Sequence, residues 1–218
     1  MSHPPHILDW IVETHCVAGH SIALRIPRRP EAVLADVAAN STQDSDPYWG
    51  YLWPSAAVLA NLVLQHPWLR NTTALELGCG SGLVGIAALQ TGLDVTFSDL
   101  VPEAVQLAQE NAVANGFLQA RSVVLDWRQP LNQQFHVLLA SDVLYHPELH
   151  QPLVTVIDQM MHADGECWIA DPGRDVAREF LQALSERGLA YVLRDADGHD
   201  VLMPLPGRFV LIVVKKRQ

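Results

Sequence analysis

The glycine-rich segment Thr72–Gly92, TTALELGCGSGLVGIAALQTG, constrains the fold of this chain more than any other stretch. It begins with Thr73–Leu77, an apolar run of strand length, continues with three alternating glycines, and ends with an apolar run of helical length. Alternating glycines let the backbone turn sharply and approach a ligand where a Cβ would clash. The segment therefore predicts a strand, a tight turn and a helix whose free N–H groups face a binding site.

Two ligand patterns fit these glycines. Gly80–Gly85 matches G-x-G-x-x-G, the fingerprint of dinucleotide-binding proteins. Read from Glu76, the same stretch is an acidic residue followed by Gly78, Gly80 and Gly82, which suits a cationic, amino-acid-like ligand. A carboxylate at Glu76 would repel a pyrophosphate. A strand-to-helix turn that binds nothing is the third interpretation.

The rest of the chain predicts an α/β fold. Five apolar runs of strand length alternate with helical segments, which indicates a mostly parallel sheet with helices on both faces. Two further runs, Leu189–Leu193 and Phe209–Val214, follow the last helix with no helix between them, and they predict an antiparallel hairpin. Near the N-terminus, Ile7–Cys16 carries an apolar stripe that predicts a helix, and Ser21–Ile26 alternates weakly as a strand.

Acidic and aromatic residues stand just after the predicted strands. Asp99 follows the second strand and is placed to bond ribose hydroxyls, a device of several nucleotide-binding enzymes, or to cap the next helix. Asp126 and Trp127 follow the third strand, where they could hold an adenine or serve as a cap and a packed loop residue. Because the carboxyl ends of parallel strands meet at one edge, these side chains are expected to gather there.

The segment Tyr48–Pro54 is rich in aromatic residues and bounded by prolines. Pro54 is placed as the first residue of a helix that continues over Ser55–Gln65. The aromatic side chains fit two roles equally well. They could pack this helix onto the sheet, or they could cover a bound cation or adenine through cation–π contact or stacking.

Composition excludes several classes of function. The chain has 218 residues, a net charge of −10 and a pI of about 5.3, without the basic stripe that nucleic-acid binding needs. Three cysteines without paired spacing indicate a reducing compartment, and the histidines show no metal-ligand spacing. Without a signal peptide or an apolar run long enough to cross a bilayer, we expect a cytoplasmic monomer that contacts no membrane.

In order along the chain, Trp53-Pro54, the ELGCGSG turn, Asp99, Asp126-Trp127 and Asp142-x-x-Tyr145 resemble the seven-β-strand protein-lysine methyltransferases, which depend on S-adenosylmethionine. The resemblance covers about Asp46 to Arg174. Within that family, the segments Asp46–Trp49 and Ile169–Arg174 are most similar to the enzymes that methylate the β-subunit of electron transfer flavoprotein. The implied fold is Rossmann-like, with seven strands and a C-terminal antiparallel hairpin. One methyltransferase domain would span residues 1–218, as an N-terminal extension (1–45) and a cofactor-binding core (46–218).

The resemblance also implies roles for individual residues. It places S-adenosylmethionine, whose product is S-adenosylhomocysteine, against one set of side chains and turns: Trp53, Glu76, Gly78, Gly80, Asp99, Trp127 and Ser141. Asp126, expected above to contact the adenine, completes the predicted cofactor site. It places the target amine beside Asp142 and Tyr145. Asp142 would attract and orient a lysine ammonium, although a helix cap or a strand end would also explain an aspartate there.

Other functions stay open at this point. A small-molecule N-methyltransferase of the same fold, acting on a nicotinamide-like acceptor, would share every motif. A nucleotide-binding scaffold without catalytic activity would not need all the acidic residues of the predicted site, which include Glu76 and Asp142. A nicotinamide-dependent oxidoreductase would leave Glu76 and the Asp142-x-x-Tyr145 motif unexplained.

Overall fold

The computed structural model describes residues 9–33 and 47–217 of the chain. Two 3-10 turns lie at Pro47–Gly50 and Pro147–Leu149. The described helices are α1 (Pro54–Gln65), α2 (Leu83–Thr91), α3 (Pro102–Ala114), α4 (His150–Met160) and α5 (Ala177–Glu186). The strands are β1 (Trp10–Val17), β2 (His20–Pro27), β3 (Thr73–Leu77), β4 (Asp94–Asp99), β5 (Arg121–Val124), β6 (Phe135–Ser141), β7 (Met161–Asp171), β8 (Leu189–Arg194), β9 (Asp200–Val201) and β10 (Val210–Lys216).

The main sheet has the strand order β5-β4-β3-β6-β7-β10-β8-β9. The strands from β5 to β7 pair in parallel, whereas β10 runs antiparallel to both of its neighbours, β7 and β8. This confirms the predicted Rossmann-like sheet and its C-terminal antiparallel hairpin. The eighth strand is the two-residue β9, which extends the predicted seven strands at the β8 edge.

Strand alternation divides the core between the two faces of the sheet. In β3, Ala74 belongs to the apolar cluster that also takes in α1 and α2, whereas Leu75 and Leu77 belong to the cluster that takes in α4 and α5. Both faces are therefore covered, as a parallel sheet requires. The order of strands reverses between β3 and β6, and in such sheets ligands bind at this point, outside the carboxyl ends of the strands.

The N-terminal segment departs from its prediction. Residues 10–17 form β1 rather than a helix, and β1 pairs antiparallel with β2 over its whole length. The connecting residues Ala18 and Gly19 both have positive φ, 48° and 80°, which is the backbone of a tight hairpin turn. The prediction of a helix was wrong, because this turn folds β2 back onto residues 10–17 and pairs their backbone as a hairpin strand. The predicted strand at Ser21–Ile26 is confirmed within β2.

Asn111 in α3 and Asn115, the residue that caps the end of α3, attach the hairpin to the core. Asn115 binds both the N–H and the carbonyl of Ala23, at 3.0 and 2.7 Å. Asn111 does the same for Arg25, at 2.8 and 3.1 Å, and also donates to the Ser81 carbonyl in the glycine turn at 2.9 Å. These side chains pair with the exposed backbone edge of β2 as another strand would, so the edge is satisfied.

Among the described residues, no helix is long and apolar enough to cross a membrane.

We expect Asn111→Ala to destabilise the protein by roughly 2–4 kcal/mol, because three backbone groups at a largely buried site lose their partner. Urea unfolding measures this loss, and hydrogen exchange at the Arg25 amide should accelerate. Asn61→Ala is the matched control, since Asn61 bonds only the exposed Gln65 side chain, and it should cost less than about 0.5 kcal/mol. Equal stability of the two variants would show that Asn111 does not hold the hairpin.

Candidate functional site

One cavity opens at the carboxyl ends of β3, β4, β5 and β6, and it offers about 970 Å³ of space with its open mouth included. Its walls contain every residue that the sequence predicted for the site. These are Trp53, Glu76, Gly78, Gly80, Asp99, Asp126, Trp127, Ser141, Asp142 and Tyr145. Their roles remain predictions, but their shared position agrees with the expected gathering at one edge of the sheet.

The floor of the cavity is the glycine turn between β3 and α2. Gly78, Gly80 and Gly82 have φ values of 65°, 47° and 84°, a left-handed conformation that favours glycine. A Cβ on Gly80 would lie 3.1 Å from the Trp49 carbonyl oxygen. The turn therefore needs glycine both for its backbone conformation and for its close contact with the aromatic segment.

Glu76 lies beneath this turn and is 3% exposed. Its Oε2 accepts the backbone N–H of Gly85, in the first turn of α2, at 3.0 Å. The pKa of Glu76 is raised to about 8, mainly by burial and in part by the nearby Asp99 charge, whereas the bond from the Gly85 N–H opposes the shift. The side chain is therefore largely protonated at neutral pH, and a cationic ligand in the cavity would favour its ionised form.

The contact with Glu76 explains Gly85, the last glycine of the dinucleotide-like fingerprint. A Cβ at Gly85 would overlap the Phe97 ring and lie 2.5 Å from Glu76 Oε2. This glycine therefore makes room for a carboxylate at the start of the helix, where a dinucleotide-binding protein would place a pyrophosphate. The geometry favours a cationic ligand over a pyrophosphate.

Asp99, the last residue of β4, connects the glycine turn to the next loop. Its Oδ2 accepts the Gly80 N–H at 3.0 Å and its Oδ1 accepts the Val101 N–H at 3.1 Å. The residue thus holds the turn, and its carboxylate also lines the cavity, where bonding to ribose hydroxyls would require it.

Asp126 and Trp127 form the wall beyond β5. Arg128 bonds Asp126 through both its side chain and its backbone N–H, at 2.9 Å each, and the side-chain bond is the main reason that the pKa of Asp126 is lowered. The Trp127 ring is partly buried against the core. The pair forms an ordered turn with a flat apolar surface beside a carboxylate, which suits an adenine ring.

The opposite wall is built around Asp142, which follows Ser141 at the end of β6. Asp142 has a φ of 60°, an uncommon conformation for a residue with a side chain. Its Oδ2 accepts the Ser55 N–H at 3.0 Å, and its Oδ1 accepts the Ser55 hydroxyl at 3.1 Å and the Arg174 guanidinium at 3.3 Å. Burial raises the pKa of Asp142, and Arg174 and Ser55 act against that shift.

These bonds combine the two roles that the sequence left open for Asp142. The carboxylate binds the first turn of α1 at Ser55, and it also lines the cavity. An ionised carboxylate offers about four acceptor positions. Donors among the described residues occupy three of them, which leaves one position on Oδ2.

Aromatic side chains cover the mouth on the Asp142 side. Tyr48 makes edge contacts with Trp53 and Tyr145, at centroid distances of 6.0 and 5.7 Å, and Tyr51 contacts Trp53 at 5.5 Å. Pro54 begins α1 as predicted, and Trp53 immediately precedes it. The aromatic segment therefore both leads into the helix and lines the cavity, so neither of its two predicted roles excludes the other.

Sequence reasoning assigned no site role to Ser55 and Arg174, which bind Asp142. It named Tyr48 only as a member of the aromatic segment, whereas the structure places this ring against both Trp53 and Tyr145. The prolines flanking the aromatic segment signalled Tyr48. Ser55 carried no signal as a ligand of Asp142, because the two residues are 87 positions apart.

The chain matches the model of a family described as lysine methyltransferase over residues 39–187. It is 31% identical over 157 residues to calmodulin-lysine N-methyltransferase of Arabidopsis thaliana, covering 66% of this chain and 52% of the relative. It is 31% identical over 136 residues to the electron transfer flavoprotein beta subunit lysine methyltransferase of Rattus norvegicus, covering 60% and 52%. The chain thus spans about half the length of these relatives.

A solved structure, the ribosomal protein L11 methylase of Lactobacillus delbrueckii subsp. bulgaricus, superposes with a TM-score of 0.60. It is 23% identical in sequence, and the match covers 73% of this chain and 77% of that one. At this identity the likeness speaks for the fold alone, and it agrees with the parallel sheet described above.

The ligand-free protein should lose stability as the pH rises through the range in which Glu76 ionises. Its folded pKa of about 8 lies above its ordinary value of 4.5, so its contribution is full below pH 4.5 and is lost toward pH 8. The unfolding free energy of the wild type minus that of Glu76→Gln should therefore fall by about 1.4 kcal/mol for each pH unit between pH 4.5 and 8.

Urea unfolding between pH 4.5 and 8 measures this difference. Glu179→Gln is the matched control, because Glu179 is exposed, and its difference from the wild type should not vary with pH in the same way. A Glu76→Gln difference that stays constant with pH would contradict a neutral Glu76 in the free protein.

Proposed function

This chain belongs to the lysine methyltransferase family, and on that premise we propose that it transfers a methyl group from S-adenosylmethionine to a lysine side chain of another protein. The observation that carries the proposal is one cavity that joins the Glu76 carboxyl group, beneath the glycine turn, to a second carboxyl group at Asp142. A methyl donor and an amine acceptor both carry positive charge, so each half has a carboxylate for one cation.

The cavity fits S-adenosylmethionine on structural grounds. Gly78 and Gly80 keep the cavity floor free of side chains. A Cβ at position 78 would lie 3.0 Å from the Val143 side chain, and one at position 80 would lie 3.1 Å from the Trp49 carbonyl oxygen. We propose that Glu76 receives the amino-acid ammonium, that Asp99 binds the ribose hydroxyls, and that Asp126 and Trp127 hold the adenine. Trp53, Gly78, Gly80 and Ser141 would complete the contacts.

When bound, S-adenosylmethionine supplies a methyl group on a positively charged sulfur and leaves as S-adenosylhomocysteine. The lysine Nζ attacks the methyl carbon in line with the carbon–sulfur bond, so a carbon–nitrogen bond forms as that bond breaks, and one proton leaves the nitrogen. The protein provides no nucleophile. Its contribution is to align the reacting atoms, which can supply roughly 7–11 kcal/mol of the barrier reduction.

The acceptor nitrogen must be neutral when it attacks, yet a free lysine has a pKa of about 10.4. Asp142 has one free acceptor position and would bind the ammonium form and direct it into the cavity. Partial burial beside a sulfonium then favours loss of the proton. Tyr145 and Tyr48 would enclose the amine with aromatic faces, which attract a cation before it is deprotonated.

A protein acceptor is preferred over the small, nicotinamide-like one. The mouth of the cavity is open and rimmed by Tyr48, which is 37% exposed, so a side chain extending from a folded partner could enter. We propose the β-subunit of electron transfer flavoprotein as the first acceptor to test. The support is the similarity of Asp46–Trp49 and Ile169–Arg174 to enzymes of that specificity, together with the rat relative.

We propose further that residues 1–218 form one domain and that the protein acts as a monomer in the cytoplasm. The hairpin bonded to α3 supports the first part, since it contacts the core rather than standing apart. Cys16, Cys79 and Cys167 are all free thiols, the state that a reducing compartment maintains.

Methyl transfer from labelled S-adenosylmethionine tests the proposed function. The acceptors are the purified flavoprotein β-subunit and an extract of the source cells, separated into protein and small-molecule fractions. We expect label in protein, recovered as methyl-lysine after acid hydrolysis. Asp142→Asn should lower the transfer rate about 100-fold or more while cofactor affinity changes little.

Asparagine is the appropriate replacement, because it tolerates the left-handed backbone of Asp142 and still accepts the Ser55 N–H. Asp175→Asn, at an exposed position, is the matched control and should transfer at the wild-type rate. Label confined to the small-molecule fraction, or recovered as another methylated amino acid, would contradict a lysine acceptor. Equal loss of transfer and cofactor binding in Asp142→Asn would contradict the role given to Asp142.

A further inference from the structure

Arg174 connects two buried carboxylates at the end of β7. Its Nη2 lies 3.3 Å from Asp142 Oδ1, and its Nη1 lies 2.8 Å from Asp171 Oδ2. The side chains of Asp142 and Asp171 are 1% and 0% exposed, and that of Arg174 is 22% exposed. One guanidinium therefore serves two carboxylates that have little access to water.

The turn that carries Arg174 is itself tightly held. Asp171 Oδ1 accepts the backbone N–H groups of Gly173 and Arg174, at 2.9 and 2.7 Å. Gly173 has a φ of 84°, and a Cβ there would overlap the backbone of Leu205 and Arg208. Gly207 also donates its N–H to the Gly173 carbonyl at 3.0 Å. Arg174 thus extends from a fixed backbone, with Asp171 holding one side of its guanidinium.

We propose that Arg174 is a positioning residue for Asp142, holding Oδ1 from one side while Ser55 holds the carboxylate from the other, so that the free position on Oδ2 points to the acceptor amine. This inference rests on the proposed function. Arg174 need not touch the methyl group or the amine, since it acts through Asp142.

Charge gives Arg174 a second effect on the same carboxylate. Burial and the neighbouring Asp171 favour a neutral Asp142, whereas Arg174 and the Ser55 bonds favour the ionised form. The charged groups acting on Asp142 are thus Asp171 and Arg174, from the end of β7 and its turn, and α1 contributes only the uncharged Ser55. Without the guanidinium, Asp142 would take up a proton at a higher pH and would no longer attract an ammonium.

Transfer kinetics on the protein acceptor test the positioning role. Arg174→Gln should lower kcat/KM at pH 7 at least tenfold while changing the dissociation constant of S-adenosylmethionine less than twofold. The loss should shrink as the pH rises, because a higher pH favours the ionised form of Asp142 in the variant as well. Arg174→Lys, which keeps the charge, should recover most of the rate at pH 7. Arg178→Gln, an exposed position on the following helix, is the matched control and should equal the wild type.

Thermal unfolding gives a test that needs no activity. In Arg174→Gln the folded pKa of Asp142 lies further above its unfolded value, so stability is full at low pH and is lost as the pH rises. We expect the melting temperature of this variant, relative to the wild type, to fall by about 3 °C or more between pH 5 and 8. Adding Asp142→Asn should reduce that dependence, because no carboxylate remains at 142 to ionise and Asp171 is then the one former partner of Arg174 among the described residues that still carries a carboxyl group.

The outcomes separate this inference from the proposed function. A wild-type protein that labels no acceptor would overturn the proposed function, while the unfolding data would still decide whether Arg174 controls Asp142. An Arg174→Gln variant that loses rate equally at every pH, or loses cofactor affinity in parallel, would overturn the positioning role. So would a pH dependence of stability that is as large in the double variant as in Arg174→Gln alone.

Discussion

A carboxylate buried beneath a glycine turn is the constraint on which this structure depends. Glu76 has its Oε2 at the N–H of Gly85, and the ring of Phe97 packs so closely that no side chain fits at position 85. A buried carboxylate is costly unless it is neutral or paired. In the free protein the raised pKa provides the first solution. A ligand ammonium would provide the second, and the cavity is thus prepared for a cation before any ligand enters.

The acceptor half of the cavity also contains a buried carboxylate, but there the charge has partners within the protein. Asp142 is also buried, but its charge is offset by Arg174 and by the first turn of α1. The two carboxylates therefore respond differently to an incoming cation. Glu76 would have to lose a proton to pair with one, whereas at Asp142 the Arg174 charge and the Ser55 bonds favour the ionised form against the effect of burial. This difference suits the proposed roles, in which Glu76 holds the bound methyl donor and Asp142 binds the lysine ammonium before that group loses its proton.

Local patterns predicted the parts of the fold that depend on local sequence. The segment Thr73–Leu77 became β3, and the alternation of strands and helices predicted the parallel sheet with its gathered loops, because strand period and glycine position are local properties. The N-terminal hairpin was missed, since its attachment relies on Asn111 and Asn115, which bond β2 across 86 and 92 positions. The partners of Asp142 were hidden for the same reason. Only the fold brings Ser55 and Arg174 to it.

The most direct test of this account is the proton balance of cofactor binding, measured by titration calorimetry at pH 6.5 in two buffers with different ionisation enthalpies. Glu76 is protonated at that pH, given its pKa of about 8, and must ionise to pair with the ligand ammonium. The account predicts that S-adenosylmethionine binds with release of about one proton more in the wild type than in Glu76→Gln. Equal proton release in the two proteins, or binding of NAD in place of S-adenosylmethionine, would contradict it.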